Sequence, residues 1–170
     1  MRAFLILIFS AFYTTSLFAQ EEVRDYSFLK FEPLFQHFKE KEINIISADK
    51  PDLYFEVFSW LGTPYRWGGR THAGIDCSDF VSVLYEKIYH KNLTGAVTNF
   101  FDRCNEIDTT TLVEGDLVFF NIRGKFLSHV GIYLQNGRFA HATVHGGVMI
   151  NSLQEKYYKN YFYKAGRLRE

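Results

Sequence analysis

The sequence lacks an excess of charge of either sign. Its 19 lysine and arginine residues balance 19 aspartate and glutamate residues, and no long run of one sign occurs. Nucleic-acid-binding proteins carry a basic surface that neutralises phosphates, so this composition argues against a nucleic-acid partner. Internal repeats and low-complexity tracts are also missing. The chain of 170 residues is instead 47% hydrophobic and 18% aromatic, which supplies the core of about one domain and argues against disorder.

The chain also lacks an apolar run long enough for a membrane-spanning helix, which needs roughly 20 residues. A shorter apolar stretch over residues 3–12 follows Arg2 and precedes small and polar residues. This is the layout of a secretory signal. We therefore predict a signal peptide over residues 1–19, cut after Ala19, although Leu17 stands where a small residue is preferred. The mature protein is expected as a monomer in the periplasm or outside the cell, without a permanent membrane anchor.

Apolar spacing predicts two helices in the main domain, residues 51–170, which follows an N-terminal extension over residues 20–50. The extension mixes charged and aromatic residues in a pattern compatible with one short helix. In the domain, apolar residues at helical spacing predict a helix over 52–61 that stops at a glycine. A second helix is predicted over 76–89, opening at Asp76 or at the next residue, with Asp76 as its N-cap.

From Gly115 onward the hydrophobic period changes to two, which is the period of strands in a sheet. Turn signals at 123–124, 136–137 and 145–147 separate the strand segments. Helices followed by antiparallel strands predict an α+β architecture. The remaining predicted elements are strands at 115–121, 128–134, 138–143, 147–151 and 163–168, and short helices at 97–104 and 153–158.

Cys77 and Cys104 are the two cysteines of the chain. In an exported protein one alternative is a disulfide between them, which would leave a non-catalytic envelope-binding protein. The position of Cys77 favours a free thiol instead, because it follows a glycine-rich loop at 63–76 and opens a predicted helix. Unpaired N–H groups and the positive end of a helix favour an anion, so we predict a lowered pKa for Cys77. Cys104 is then an unpaired, buried small hydrophobe.

Two histidines lie on adjacent predicted strands, and the turn between the strands decides whether their rings share a face. A two-residue turn at 136–137 pairs Ile132 with His141 and places His129 and His141 on opposite faces. A three-residue loop with a left-handed bulge at its glycine pairs Gly131 with His141 and places both rings on one face. Asn-Gly is compatible with both turns. We predict the bulged turn, because a glycine opposite His141 leaves room for two imidazoles.

Cys77, His129 and His141 in this arrangement form a minimal acyl-transfer site. Cys77 would attack a carbonyl carbon, His129 would take and return the proton, and His141 would fix the tautomer of His129. The N–H group of Cys77 and the hydroxyl of Tyr65 are the expected oxyanion donors. A metal site built from the same three residues is the weaker alternative, because the chain has no His-x-x-His or Cys-x-x-Cys pair. No metal or other cofactor is predicted. The histidines without such a partner pattern are His37, His72, His90 and His145.

Four segments of the sequence resemble the NlpC-type family of papain-like bacterial cell-wall cysteine peptidases. They are residues 61–81, 114–120, 128–143 and 146–153, in the family's order and spacing over roughly 100 residues. The resemblance implies a helix-opening cysteine packed against a small antiparallel sheet. It also implies a cysteine endopeptidase that acts on the stem peptides of peptidoglycan and typically cuts between D-glutamate and the diamino acid.

Matched position by position, the resemblance assigns the same three roles as the residues themselves do. Cys77 matches the nucleophile, His129 the base and His141 the third polar residue. Tyr65 belongs to the PYxxGG motif that lies beside the thiol in the family. The residues that flank the nucleophile, where the family contacts its substrate, are Asp76 and Ser78.

Asp79 is the one departure from the family pattern that bears on the substrate. It stands where the family usually has glycine, in DCSDF rather than DCSGF. A carboxylate in the first turn suits the helix dipole. The same charge is expected to narrow the cleft or to disfavour an acidic substrate.

Overall fold

The structure, a computed structural model, describes residues 31–122, 124 and 126–169. The signal peptide predicted over residues 1–19 lies outside the described residues. Within the described part of the chain, no helix combines the length and the apolar character needed to cross a membrane. In chain order the elements are α1 (Glu32–Lys39), α2 (Pro51–Trp60), β1 (Arg70–Thr71), β2 (Gly74–Ile75), α3 (Cys77–Tyr89), α4 (Val97–Asp102), β3 (Cys104–Ile107), β4 (Leu117–Phe120), β5 (His129–Tyr133), β6 (Arg138–Thr143), β7 (Gly147–Ser152), α5 (Lys156–Tyr161) and β8 (Phe162–Leu168), with 3-10 turns at Ile45–Ser47 and Thr109–Thr111.

Six strands form one antiparallel sheet in the order β3-β8-β4-β5-β6-β7. Strands β4 to β7 follow one another in the chain and in the sheet, while β8 returns to pair with both β3 and β4. The helices come mainly before these strands, so the predicted α+β architecture is confirmed. Strands β1 and β2 form a separate short hairpin within the glycine-rich loop.

Helix α3 positions Cys77, because a side-chain hydrogen bond fixes the residue at which the helix begins. Asp76 accepts a hydrogen bond from the backbone N–H of Asp79, which confirms it as the N-cap. The helix then runs to Tyr89 and ends at His90, whose φ of 54° lies in the left-handed region. The predicted helix over 76–89 is therefore confirmed, with Cys77 as its first residue.

Two predicted element boundaries are wrong, for local reasons. The helix predicted over 97–104 ends at Asp102, because Cys104 pairs with Leu168 as the start of the edge strand β3. The helix predicted over 153–158 begins only at Lys156. A turn precedes it, in which the Glu155 N–H donates to the carbonyl of Ser152 across 3.1 Å.

Strand alternation gives the sheet two buried faces. One face carries Val130 and Ile132 and packs with α2 and α3 in the larger apolar core. The opposite face carries Phe120 and Phe139, and Tyr158 of α5 covers it. Neighbouring residues of a strand point to opposite faces of the sheet. His129, next to Val130, and His141, two residues from Phe139, therefore belong to the face under α5.

Candidate active site

The carboxylate of Asp76 fixes the backbone around Cys77. Oδ1 of Asp76 accepts from the Asp79 N–H at 2.9 Å and from the Ser78 hydroxyl at 2.8 Å. Oδ2 accepts from the Gly68 N–H at 2.8 Å, which ties the glycine-rich loop to the helix start. Cys77 itself is 5% exposed, and both cysteines are free in the structure. Asp76 thus fixes the backbone on both sides of the thiol.

Burial raises the pKa of the Cys77 thiol to about 11. Backbone groups of Val130, Ser78 and Cys77 itself lower this pKa, and the charge of Asp76 raises it further, but the loss of solvent is the largest effect. The predicted lowered pKa is therefore wrong. The helix start does not offset the desolvation of a sulfur anion, so the thiol is protonated at neutral pH. A nucleophilic role then requires a base that removes the proton during attack.

His129 and His141 meet on one face of the sheet. Nε2 of His129 lies 2.7 Å from Nδ1 of His141, and the two residues are 7% and 0% exposed. Ile132 pairs with Ala140, a register that brings Gly131 opposite His141 as predicted. A Cβ atom on Gly131 would lie 2.6 Å from the Phe139 ring. The prediction that both rings share a face is confirmed. Residue 131 must be glycine, because a side chain there would collide with the Phe139 ring.

The turn that sets this register differs from the predicted one. Asn136 and Gly137 have φ values of 52° and 73°, and the Arg138 N–H donates to the Gln135 carbonyl at 2.8 Å. These are the marks of a two-residue type I′ turn. The extra residue lies on the β5 side, because the Leu134 N–H also bonds to the Arg138 carbonyl, at 2.9 Å. Leu134 and Gln135 thus form the bulge, and its predicted place at Gly137 is wrong.

A chain of polar side chains continues beyond His141. Its Nε2 lies 2.9 Å from Oδ1 of Asn151 and 3.2 Å from the hydroxyl of Tyr158. Asn151 donates in turn to both carboxylate oxygens of Glu155, at 3.1 and 2.9 Å. Asn151, Tyr158 and Glu155 were not predicted as site residues from the sequence. The available signal was a polar Asn151 within the apolar strand GVMIN.

Burial lowers the pKa of His141 to about 4. The hydrogen bond to Asn151 and the negative charge of Glu155 act in the opposite direction, but the desolvation is larger. His141 is therefore neutral at physiological pH. A neutral imidazole has one N–H donor and one acceptor nitrogen, so its two neighbours cannot both be donors.

The thiol opens into a cavity of about 540 Å³. Tyr65 and Ser128 line this cavity and also a smaller one that holds His129, so the two cavities adjoin. The structure thereby places the predicted Tyr65, Asp76 and Ser78 in one cavity with Cys77. The other residues of this cavity are Trp67, Asp79, Gly95, Ala96, Val97, Leu127 and Ser128.

Two further side chains at these cavities were given no role by sequence analysis. Trp67, 77% exposed, lines the cavity of the thiol. His145 lines the cavity of His129, although the residues around it in the sequence did not indicate a role in the site. His72, in contrast, stacks on Trp60 with ring centroids 3.8 Å apart. The surroundings of a histidine therefore depend on the packing of its loop rather than on nearby sequence.

The two ring nitrogens that meet in the histidine pair bond to each other, so neither points a lone pair at a shared ion. Among residues 31–122, 124 and 126–169, no three histidine, cysteine, aspartate or glutamate side chains are grouped as metal ligands. The arrangement is suited to proton transfer between side chains.

An α+β fold in which a helix opens at a buried cysteine and packs on an antiparallel sheet is that of the papain-like thiol peptidases. The sequence model of the NlpC/P60 family matches residues 62–167. The chain belongs to the NlpC/P60 family of cell-wall cysteine peptidases, which are peptidoglycan hydrolases.

Individual relatives agree with this assignment. The "Probable endopeptidase NlpC" of Escherichia coli K12 is 41% identical over 114 residues, which are 66% of this chain and 74% of the relative. The "Murein DD-endopeptidase MepS/Murein LD-carboxypeptidase" of the same strain is 37% identical over 109 residues, 64% of this chain and 57% of the relative. A crystal structure of an NLP/P60 family protein from Staphylococcus aureus Mu50, described as similar to lipoprotein, matches with a TM-score of 0.62 and 29% identity. That match covers 69% of this chain and 40% of the other.

Proposed function

We propose that this protein is a cysteine endopeptidase that cleaves the stem peptides of peptidoglycan, with Cys77 as nucleophile. One observation carries the proposal: the cavity of the thiol and the cavity of His129 share two lining residues, Tyr65 and Ser128, and the ring of His129 bonds to His141. A thiol, an imidazole and a group that orients the imidazole are the parts of covalent acyl transfer. Two relatives named as endopeptidases support the same reaction.

In the proposed mechanism, the sulfur of Cys77 attacks the scissile carbonyl carbon. Nε2 of His129 faces His141, so the other ring nitrogen, Nδ1, takes the thiol proton. The Cys77 N–H and the Tyr65 hydroxyl donate to the developing oxyanion. His129 then returns the proton to the leaving amine, and a thioester forms. Water attacks the thioester, His129 takes the proton of the water, and the thiol is regenerated as the acid product leaves.

The proposed scissile bond lies between D-glutamate and the diamino acid, as the family resemblance implies. The name of the second E. coli relative specifies DD and LD bonds instead. Digestion of a defined uncrosslinked stem peptide and a defined crosslinked dimer, with product masses read by mass spectrometry, tests the assignment. Products cut after D-glutamate support it. Release of intact stems from the dimer would assign the DD bond, and intact substrates would contradict the peptidase function. Protein with Cys77→Ala is the control.

The alternative is a non-catalytic envelope-binding protein with a Cys77–Cys104 disulfide. Both cysteines are free in the structure, and the Cys104 thiol donates to the Phe100 carbonyl at 3.2 Å. Titration of the native protein with a thiol reagent separates the two functions, after brief denaturation to expose buried sulfur. Two titrated thiols support the peptidase, and none supports the bridged binding protein.

We also propose that the protein is exported, with a signal peptide over 1–19 and a peptidase domain over 51–170. Part of the intervening extension belongs with the domain by its contacts: the Phe38 and Tyr54 rings lie 5.2 Å apart. Arg138 bonds to the carboxylate of Glu42 at 2.7 Å. N-terminal sequencing of protein recovered from the periplasm or the medium tests the cut after Ala19. An N-terminus still at Met1 would contradict it.

A further inference from the structure

We propose that Asn151 and Glu155 are positioning residues that set the tautomer of His141 and, through it, the tautomer of His129. The inference rests on the proposed function, because it assigns to these residues the preparation of the base that serves Cys77. Asn151 lies on β7 and Glu155 in the turn before α5. Neither lines the cavity of the thiol, so they act through the two imidazoles.

Glu155 anchors the chain, because a carboxylate accepts hydrogen bonds and donates none. Its Oε1 accepts from the backbone N–H of Ser152 at 2.7 Å, which fixes the carboxylate independently of Asn151. Both oxygens then face Nδ2 of Asn151, at 3.1 and 2.9 Å. The amide must therefore turn its NH₂ group toward Glu155 and its carbonyl oxygen toward His141.

The orientation of this amide passes along both imidazoles. Since Oδ1 of Asn151 accepts, the Nε2 of His141 at 2.9 Å must carry the proton. In the neutral ring Nδ1 is then an acceptor, and the Nε2–H of His129 donates to it across 2.7 Å. The proton of a neutral His129 is thereby kept on Nε2. Its Nδ1 keeps the lone pair that receives the thiol proton.

A reversed amide produces the opposite, inactive state. An NH₂ group facing His141 would require Nε2 to accept, and would move the proton of that ring to Nδ1. His129 would then have to accept at Nε2 and carry its own proton on Nδ1, where the thiol needs a base. The hydroxyl of Tyr158 lies near the same Nε2, at 3.2 Å, but a hydroxyl both donates and accepts. It therefore selects neither tautomer, and the choice falls to Asn151 and Glu155.

The test measures tautomers and turnover in the same full-length protein. Long-range ¹H–¹⁵N correlation spectra of ¹⁵N-labelled protein report which nitrogen of each histidine carries the proton. In the wild type we expect the Nε2–H tautomer for both His129 and His141. In Asn151→Leu we expect mixed tautomers, and kcat on a stem peptide lower by about 10- to 100-fold with KM unchanged, by analogy with the loss of the outer hydrogen-bond partner of a metal-bound histidine.

A charge-conserving exchange provides the rescue. In the double variant Asn151→Asp/Glu155→Gln, the carboxylate faces His141 and the amide NH₂ donates to it, so the Nε2–H tautomer is retained. At slightly alkaline pH, where His141 stays neutral, we expect kcat to return to within about threefold of the wild type. Gln154→Ala, next to Glu155 and outside the chain of hydrogen bonds, is the matched control and keeps the wild-type spectra and rate. Thermal unfolding of each variant identifies any loss caused by misfolding.

The outcomes separate this inference from the function on which it rests. A wild type with the proton of His141 on Nδ1 overturns the inference, as does an Asn151→Leu variant with wild-type tautomers and kcat. Either result leaves the peptidase function standing if the wild type hydrolyses stem peptides. Wild-type protein without hydrolysis, but with tautomers that change in Asn151→Leu, supports the hydrogen-bond chain and rejects the peptidase.

Discussion

Arg70 donates from Nη1 to Oδ1 of Asp79 across 3.0 Å, beside the cavity that holds Cys77. Its other terminal nitrogen bonds to Glu86 at 2.8 Å. Asp79 is the carboxylate that stands where the family usually has glycine, and the guanidinium of Arg70 balances its charge. The wall of the cavity is therefore less negative than the sequence around the nucleophile suggests. With side chains 40% and 28% exposed, this ion pair is weak and sensitive to salt.

Arg70→Ala is expected to raise KM for an acidic stem peptide while kcat stays unchanged. Removal of the cation leaves the Asp79 charge uncompensated, and exposed pairs contribute about 0.2–1 kcal/mol, which corresponds to a rise of roughly one and a half- to fivefold. Steady-state kinetics at low and high salt measure the effect, which salt should reduce. The double variant Arg70→Ala/Asp79→Gly restores KM if the charge is the cause. A KM that stays high in the double variant would contradict this explanation.

Cys77→Ala is expected to abolish hydrolysis, because no other thiol lines the cavity in the described part of the chain. Cys104→Ala is the matched control. Cys104 lies on the edge strand β3 and its sulfur contacts the Phe100 carbonyl of α4, so the loss should be limited to about 1 kcal/mol of stability with full activity. Hydrolysis assays and chemical denaturation of both variants check the pair. Equal activity of the two variants would rule out Cys77 as the nucleophile.

His129→Ala is expected to lower kcat by about 10²- to 10⁴-fold, the range usual for the loss of a general base. The thiol has a pKa raised to about 11 by burial, so it depends on a base more than an exposed thiol does. His90→Ala, at the end of α3, is the control and should retain the wild-type rate. Single-turnover measurements separate the acylation step from product release. An unchanged acylation rate in His129→Ala would assign the base elsewhere.

The free energy of unfolding is expected to rise with pH between about 4 and 6.5, in part because of His141. Burial lowers its pKa to about 4 in the folded protein, while the unfolded chain binds the proton at the ordinary value near 6.5. The unfolded state therefore holds more protons in this window, and stability is lost as the pH falls through it. The contribution is on the order of 3 kcal/mol. Urea denaturation across the window, in wild type and His141→Leu, measures it; identical pH slopes would refute the assignment.

Alkylation of Cys77 by iodoacetamide is expected to accelerate continuously with pH beyond 8.5, the ordinary thiol pKa. Burial raises the pKa of this thiol to about 11, so the reactive thiolate is scarce at neutral pH. The Cys104→Ala variant gives the rate for the single remaining cysteine. A plateau reached below pH 8 would show a preformed thiolate and contradict the effect of burial.

Local signals in the sequence predicted the elements that need no distant partner. Asp76 caps α3 through its own side chain, so the residue before Cys77 was enough to place the start of the helix. Strands with alternating apolar residues were recognised for the same reason. Strand β3 was missed, because Cys104 becomes a strand residue only through pairing with Leu168, which lies far along the chain. The hydrogen-bond chain through Asn151 was not predicted, because the role of an amide side chain can be recognised only once its neighbours in space are known.

The sequence by itself determined that Cys77 opens a helix and that His129 and His141 lie on neighbouring strands, since capping and alternation act over a few residues. Tertiary structure alone decided the rest. Asn-Gly permits either register, and the bulge at Leu134 places both rings on one face. The pKa of Cys77 likewise follows from competition between a helix start and burial, and burial depends on every element packed around the sulfur.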